Sequence, residues 1–255
     1  MTKLLIRADD LGYSEGVNLG IAKTVEHGLV KSVGVMVNMP TVEAGLSLLK
    51  GYDICLGQHT NICLGKPILP PEEIPSLCQE NGEFRSSKCY REAFKKGEDF
   101  VVLEEVVKEI EAQYHRFVAL TGQEPSYFEG HAVASPNFFK GLEIVAAKYH
   151  LPYFAMSMDG DPVLFGQTKV YSRMPKDFVA YENNPFSVIE ETVKNSHEDG
   201  CDLLVFHPGY IDAYLLRYSS MTTLRAYEAD MLIQPWVAEW LKNQNIDLVT
   251  YKDLK

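Results

Sequence analysis

Asp9 and Asp10 form an adjacent carboxylate pair that follows the apolar residues Leu4, Leu5 and Ile6 and precedes Gly12 and Ser14. Three histidines share with this pair a place at the carboxyl end of a predicted strand: His59 in ICLGQH, His131 in SYFEGH and His207 in CDLLVFH. Two imidazoles and a carboxylate make a divalent-metal site that can leave a coordination position open for water or substrate. A cation in such a site lowers the pKa of water from about 15.7 toward about 7, so a carboxylate suffices to take its proton. Side chains on consecutive residues point in different directions, so one aspartate can bind metal while its neighbour serves as general base. A further histidine across the pocket can then protonate a leaving group. A lone Asp-Asp pair is also an ordinary turn, and a lone histidine is more often a hydrogen-bonded buried residue. Their common position separates these residues from His27, His115, His150 and His197, which fall on helices or helix ends among charged neighbours.

The elements that must position them alternate. After the first strand, Ser14 caps a helix with Glu15 at its positive end, Val17, Ile21 and Val25 form its apolar stripe, and Gly28 ends it. Residues 32–38 read as a strand, 41–50 as an amphipathic helix and 54–61 as a strand ending near His59. Residues 64–99 carry Pro67, Pro70, Pro71 and Pro75 without a sustained period, and read as a surface insertion that serves as a lid or a subunit contact. In the helix expected over 101–122, Val102, Val106, Ile110, Tyr114 and Phe117 form the buried face, with Glu104, Glu105, Lys108, Glu109 and Glu111 as solvated charge.

A fourth strand is expected over 126–133, then a helix over 135–150 with Ser135 as N-cap and Pro136 at its first position, and a fifth strand over 151–158. Residues 159–184, with Asp161, Pro162, Gly166 and Pro175, read as irregular. A helix over 186–200 closed by Gly200, a strand over 201–209, a helical stretch over 222–244 bent at Pro235 and a strand over 246–251 complete the chain. Strand and helix in alternation imply a parallel sheet with crossover helices. Seven or eight such units over 1–255 imply a single α/β domain, an irregular TIM-like β/α barrel with its site at the carboxyl ends of the strands.

Composition narrows the function. A formal charge of −11 opposes a nucleic-acid or anionic-membrane partner, both of which need clustered Lys and Arg. No GxGxxG or Walker-type loop argues for nucleotide binding. The first residues lack the pattern of a signal peptide and no apolar run has the length of a membrane span, so a cytoplasmic location is expected. Cys55, Cys63, Cys78, Cys89 and Cys201 are odd in number and show no CxxC spacing, which suggests neither a disulfide framework nor a thiolate zinc site.

These residues also carry a resemblance. ADDLGYSEGVNLGI resembles the opening signature of the YdjC-like carbohydrate deacetylases, LGQHTNI their second signature and VFHPGY a third, while RAYEAD around Arg225 and Glu228 is similar to the helix that follows. The resemblance implies a distorted β/α barrel that uses a divalent metal to remove N-acetyl groups from amino-sugar oligosaccharides of the chitooligosaccharide type. It implies Asp10, His59 and His131 as metal ligands, Asp9 as base and His207 as acid. One motif departs from the family: where Asp-Ser-His and a second histidine are usual, this chain has Glu129-Gly130-His131-Ala132-Val133. Glu129 then either replaces the aspartate or is a solvated strand-end residue.

The ligand set suits zinc by softness, and the resemblance keeps Mg2+ open. Tyr13, Phe138, Tyr153, Phe154, Tyr210 and Tyr214 lie in or beside the loops that a sugar would meet, and most aromatics are core. A homodimer is the expectation from the prevalence of twofold assemblies. Two other readings share these residues: a hydrolase of another amide or a phosphoester, and a non-catalytic sugar-binding barrel with a structural metal.

Overall fold

A computed structural model describes residues 2–155, 157 and 160–254. The chain divides into two compact units. One comprises Met1–Gly34, Pro40–Leu56 and Met156–Lys255, and the other Val35–Met39 and Gly57–Ala155.

In the first unit β1 (Thr2–Leu11) is the organising strand, parallel to β7 (Gly200–Phe206) from Lys3↔Cys201 to Ala8↔Phe206 and to β8 (Ile246–Val249) over Thr2 to Leu5. β2 (Ser32–Val35) also lies next to β1. From Leu4 onward every residue of β1 is buried, as expected for a strand covered on both faces. The strand extends beyond the apolar run Leu4–Ile6, so Asp9 and Asp10 lie inside it and Leu11 ends it. Asp10 has φ of 78°, a left-handed conformation that Asp tolerates better than most residues.

β6 (Thr168–Arg173) runs parallel to β7 and pairs antiparallel with β5 (Val163–Phe165). The expectation of irregular structure over 159–184 is thus corrected. Gly166, at φ +61°, makes a tight hairpin, and α6 (Phe178–Asn183) follows with Asp177 capping it. The alternating VLFGQTKVYSR pattern was the signal, masked by Asp161, Pro162 and Pro175 around it.

α1 (Glu15–Glu26) has Ser14 Oγ accepting from Val17 N, and Val17, Ile21 and Val25 are buried. α2 is Val42–Leu48, α7 Phe186–Lys194 and α8 Ala213–Tyr218. Gly200 begins β7 instead of closing α7. The long helical stretch is two helices, α9 (Thr223–Leu232) and α10 (Pro235–Asn243), because Pro235 cannot supply the amide that would continue the first.

In the second unit β3 (Cys55–Thr60, of which Gly57 onward belongs here) pairs in parallel with β4 (Phe128–Gly130) in the register His59↔Glu129. The helices are α3 (Ser87–Lys95), α4 (Leu103–Thr121) and α5 (Pro136–Tyr149), the last capped by Ser135 with Pro136 at its first position. Of the strand expected over 151–158 there is one bridge, Phe128↔Tyr153; Met156 and Met158 lie outside the described residues. Residues 64–99 do not lie on the surface alone. Ile74, Leu77, Phe84 and Tyr90 are buried in one cluster with Val106, Ile110, Phe138 and Leu142, so the segment is part of the core.

Two residues of α4 are also corrected: Val102 is its exposed N-cap, and Glu109 is fully buried. The Glu109 carboxylate accepts from the amides of Ile68 and Leu69 at 3.0 Å and from Gln113 Nε2 at 2.8 Å. Residues 64–69 need an acceptor for amides that no strand pairs, and they cover the carboxylate that the helix pattern assigns to solvent.

Candidate functional site

In the first unit Asp9 and Asp10, 2% and 0% exposed, are each held by an arginine. Arg7 Nη2 donates to Asp9 Oδ2 at 2.7 Å, and Arg7 Nη1 donates to the Tyr251 hydroxyl at 2.9 Å. Arg225 Nη2, from α9, donates to Asp10 Oδ2 at 2.6 Å. Buried carboxylates are costly unless paired, so each guanidinium both keeps its aspartate in the core and fixes its orientation. Consecutive positions on β1 thus give the two aspartates separate partners. Arg225 also lies over Tyr13, 5.2 Å from the ring centre, and burial pushes the Tyr13 phenol up to about 12.

His207 follows the last residue of β7. Its amide donates to Glu228 Oε2 at 2.5 Å, and Glu228 Oε1 accepts from the Tyr181 hydroxyl at 2.5 Å. Burial pushes Glu228 up to about 7 against the opposing influence of these donors and of Arg225. Neither Glu228 nor Tyr181 is visible as a site residue from strand-end position: one lies mid-helix and the other in the stretch read as irregular.

In the second unit His59 and His131 converge. His59 Nε2 lies 2.8 Å from His131 Nδ1, and the rings meet edge to face at 81°. His59 Nδ1 hydrogen-bonds the Glu129 carboxylate, and both residues are buried. An imidazole that gives its Nδ1 proton to a carboxylate presents a lone pair at Nε2, the arrangement found in carboxylate–histidine–metal triads. The two facing nitrogens are within hydrogen-bond distance of each other, and with that shared proton removed both could serve as ligands to a cation. Glu129 is a buried partner of His59, not a solvated strand-end residue.

The backbone here is fixed by its neighbours. The His131 amide donates to the Thr60 carbonyl at 2.8 Å, and Gln113 brackets Asn61 by accepting from its amide and donating to its carbonyl.

Of the aromatics near the expected loops, Phe138, Tyr13 and Phe154 are buried and Tyr210 is 39% exposed. No described helix is long and apolar enough to cross a membrane.

Known proteins resemble the chain over its whole length. It is 28% identical over 258 residues to Carbohydrate deacetylase 2 of Listeria innocua, covering 99% of this chain and 98% of that protein. It is 26% identical to a carbohydrate deacetylase of Thermoanaerobacter pseudethanolicus, covering 100% of each. The crystal structure of a candidate cellobiose-phosphate cleavage protein from Enterococcus faecalis V583 superposes with a TM-score of 0.81 at 24% identity, covering 99% of this chain and 98% of that one. That likeness, with the mostly parallel strands and their crossover helices, agrees with the irregular β/α-barrel class expected from the sequence. The YdjC-like protein family model matches residues 3–243, and the chain belongs to that family.

Proposed function

We propose that this chain is a metal-dependent carbohydrate deacetylase that hydrolyses the acetamide of an N-acetylated amino-sugar oligosaccharide and releases acetate. Asp10, His59 and His131 are the ligands of one divalent cation, Zn2+ or Mg2+. The observation that carries the reading is the imidazole pair, with Nε2 of one ring 2.8 Å from Nδ1 of the other and Glu129 behind the first. The name carried by the Listeria and Thermoanaerobacter relatives supports the reaction.

A divalent cation held by these residues supplies Lewis acidity, which polarises an acyl oxygen and makes water more acidic. Asp9, oriented by Arg7, takes the proton of the attacking water. Arg225 holds Asp10 Oδ2, and so fixes the direction in which this carboxylate binds. His207 returns a proton to the departing amine nitrogen, without which an amine is a poor leaving group. A phosphate ester as substrate would call for Arg or Lys beside the strand ends, and Arg7 and Arg225 are instead engaged with Asp9 and Asp10.

The test is a panel of acetylated chitooligosaccharides and sugar phosphates, assayed for acetate and for phosphate. Acetate release that stops on chelation and returns on adding Zn2+ or Mg2+ is expected. Phosphate release without acetate contradicts the reading.

A further inference from the structure

We infer that Tyr181, Arg225 and Glu228 form a clamp that positions His207 for proton transfer. The inference rests on the assignment of His207 as proton donor. The need for such a clamp follows from where the strand ladder stops. β7 is in register with β1 only as far as Phe206 and with β6 only as far as Leu204, so the peptide groups of His207 lie beyond the sheet that aligns the rest of the strand. Pro208, which follows, has no amide to donate.

Helix α9 takes over. Glu228 accepts from the His207 amide at 2.5 Å, and Arg225, one turn earlier, donates from Nη1 to the His207 carbonyl at 3.4 Å. The Arg225 carbonyl accepts from the Gly209 amide at 3.1 Å. One turn of one helix therefore grips both polar backbone atoms of His207 and the amide two residues on. Gly209 itself lies against α1, where a Cβ on Gly20 would sit 2.4 Å from the Gly209 Cα.

The clamp has its own support. Glu228 is 1% exposed, and its second oxygen is satisfied by the Tyr181 hydroxyl at 2.5 Å, so α6 holds the carboxylate that holds His207. Arg225 ties the same helix to Asp10. α9 thereby fixes a proposed metal ligand and the proposed acid from a single rigid element. Misplacing a reacting group by about 1 Å costs as much as 10²-fold in rate, which makes a buried carboxyl group spent on holding the His207 backbone worth its desolvation.

The test is a set of variants of the full chain loaded with the activating metal: Glu228→Ala, Glu228→Gln, Tyr181→Phe, His207→Asn and the double variants of the first and third with His207→Asn. Glu228→Ala is expected to lower kcat by up to about 10²-fold with KM changed by less than about threefold, and Glu228→Gln, which retains an acceptor for the amide, to recover most of that loss. Tyr181→Phe removes one hydroxyl and is expected to lower kcat by roughly tenfold, which keeps the test available if Glu228→Ala does not fold. Amide hydrogen exchange at His207 is expected to accelerate in Glu228→Ala and not in Glu228→Gln.

The deciding result is non-additivity: if the clamp acts through His207, each double variant is no slower than His207→Asn alone. Additive losses, or unchanged kcat in both Glu228→Ala and Tyr181→Phe while His207→Asn is impaired, overturn the clamp and leave the role of His207 intact. Wild-type turnover in His207→Asn overturns both.

Discussion

His59 Nε2 faces His131 Nδ1 across 2.8 Å, although 71 residues lie between the two in the chain. Neighbouring parallel strands explain the meeting: His59 is in register with Glu129 on β4, and His131 comes two residues later. The first consequence concerns Glu129, whose carboxylate holds the other nitrogen of His59. Glu129→Gln is expected to weaken metal affinity by about 10- to 100-fold, as loss of such outer partners does, without unfolding the second unit. Competition with a chromogenic chelator measures it.

Asp9→Asn removes a base and keeps the shape. Acetate release is expected to fall by about 10²- to 10⁴-fold while metal content is unchanged, because Asp10 and not Asp9 is the proposed ligand. Wild-type turnover in Asp9→Asn would mean that another group takes the proton.

Glu228 makes stability depend on pH. Its carboxyl is raised from an ordinary 4.5 to about 7 by burial, so between these values the folded chain binds more protons than the unfolded one. Stability from this group is full below the unfolded value and is lost as pH rises through about 7, by about 3 kcal/mol in all. Urea unfolding of chelated protein at about pH 5 and about pH 8 should show the decline, and Glu228→Gln should flatten it.

Gly20→Ala tests the packing of α1 against the turn after His207. The added methyl meets Gly209 Cα at 2.4 Å, and backbone cannot step aside as a side chain can. A loss of about 1 to 3 kcal/mol is expected on overpacking of this kind. Thermal unfolding measures it, and a variant as stable as wild type would show that the turn is free to shift.

Much of this was legible in the residues themselves. Asp9, His59, His131 and His207 each fall at or near the carboxyl end of a strand, as the alternation of strand and helix segments in the sequence implies. Ser14 and Ser135 announced their helices because a short hydroxyl can satisfy an amide that the helix leaves open.

What escaped the sequence depended on contacts remote in the chain. Glu109 sits where a helix normally displays solvated charge and is buried only because residues 64–69 return over it. Between the two readings open for Glu129, and for the mid-helix Glu228, only the partners His59 and His207 decide the role. The β5–β6 hairpin was obscured because Asp161, Pro162 and Pro175 signal a loop more strongly than three residues of β5 signal a strand.

If His59, His131 and Asp10 together hold one catalytic cation, the metal content of the protein depends on each of them. Elemental analysis of purified protein, wild type beside His131→Ala, Asp10→Asn and Asp9→Asn, is the measurement. One equivalent of a divalent metal is expected in wild type and Asp9→Asn, and its loss together with acetate release in His131→Ala and Asp10→Asn. Full metal occupancy in His131→Ala, or undiminished acetate release from chelated wild-type protein, would contradict it.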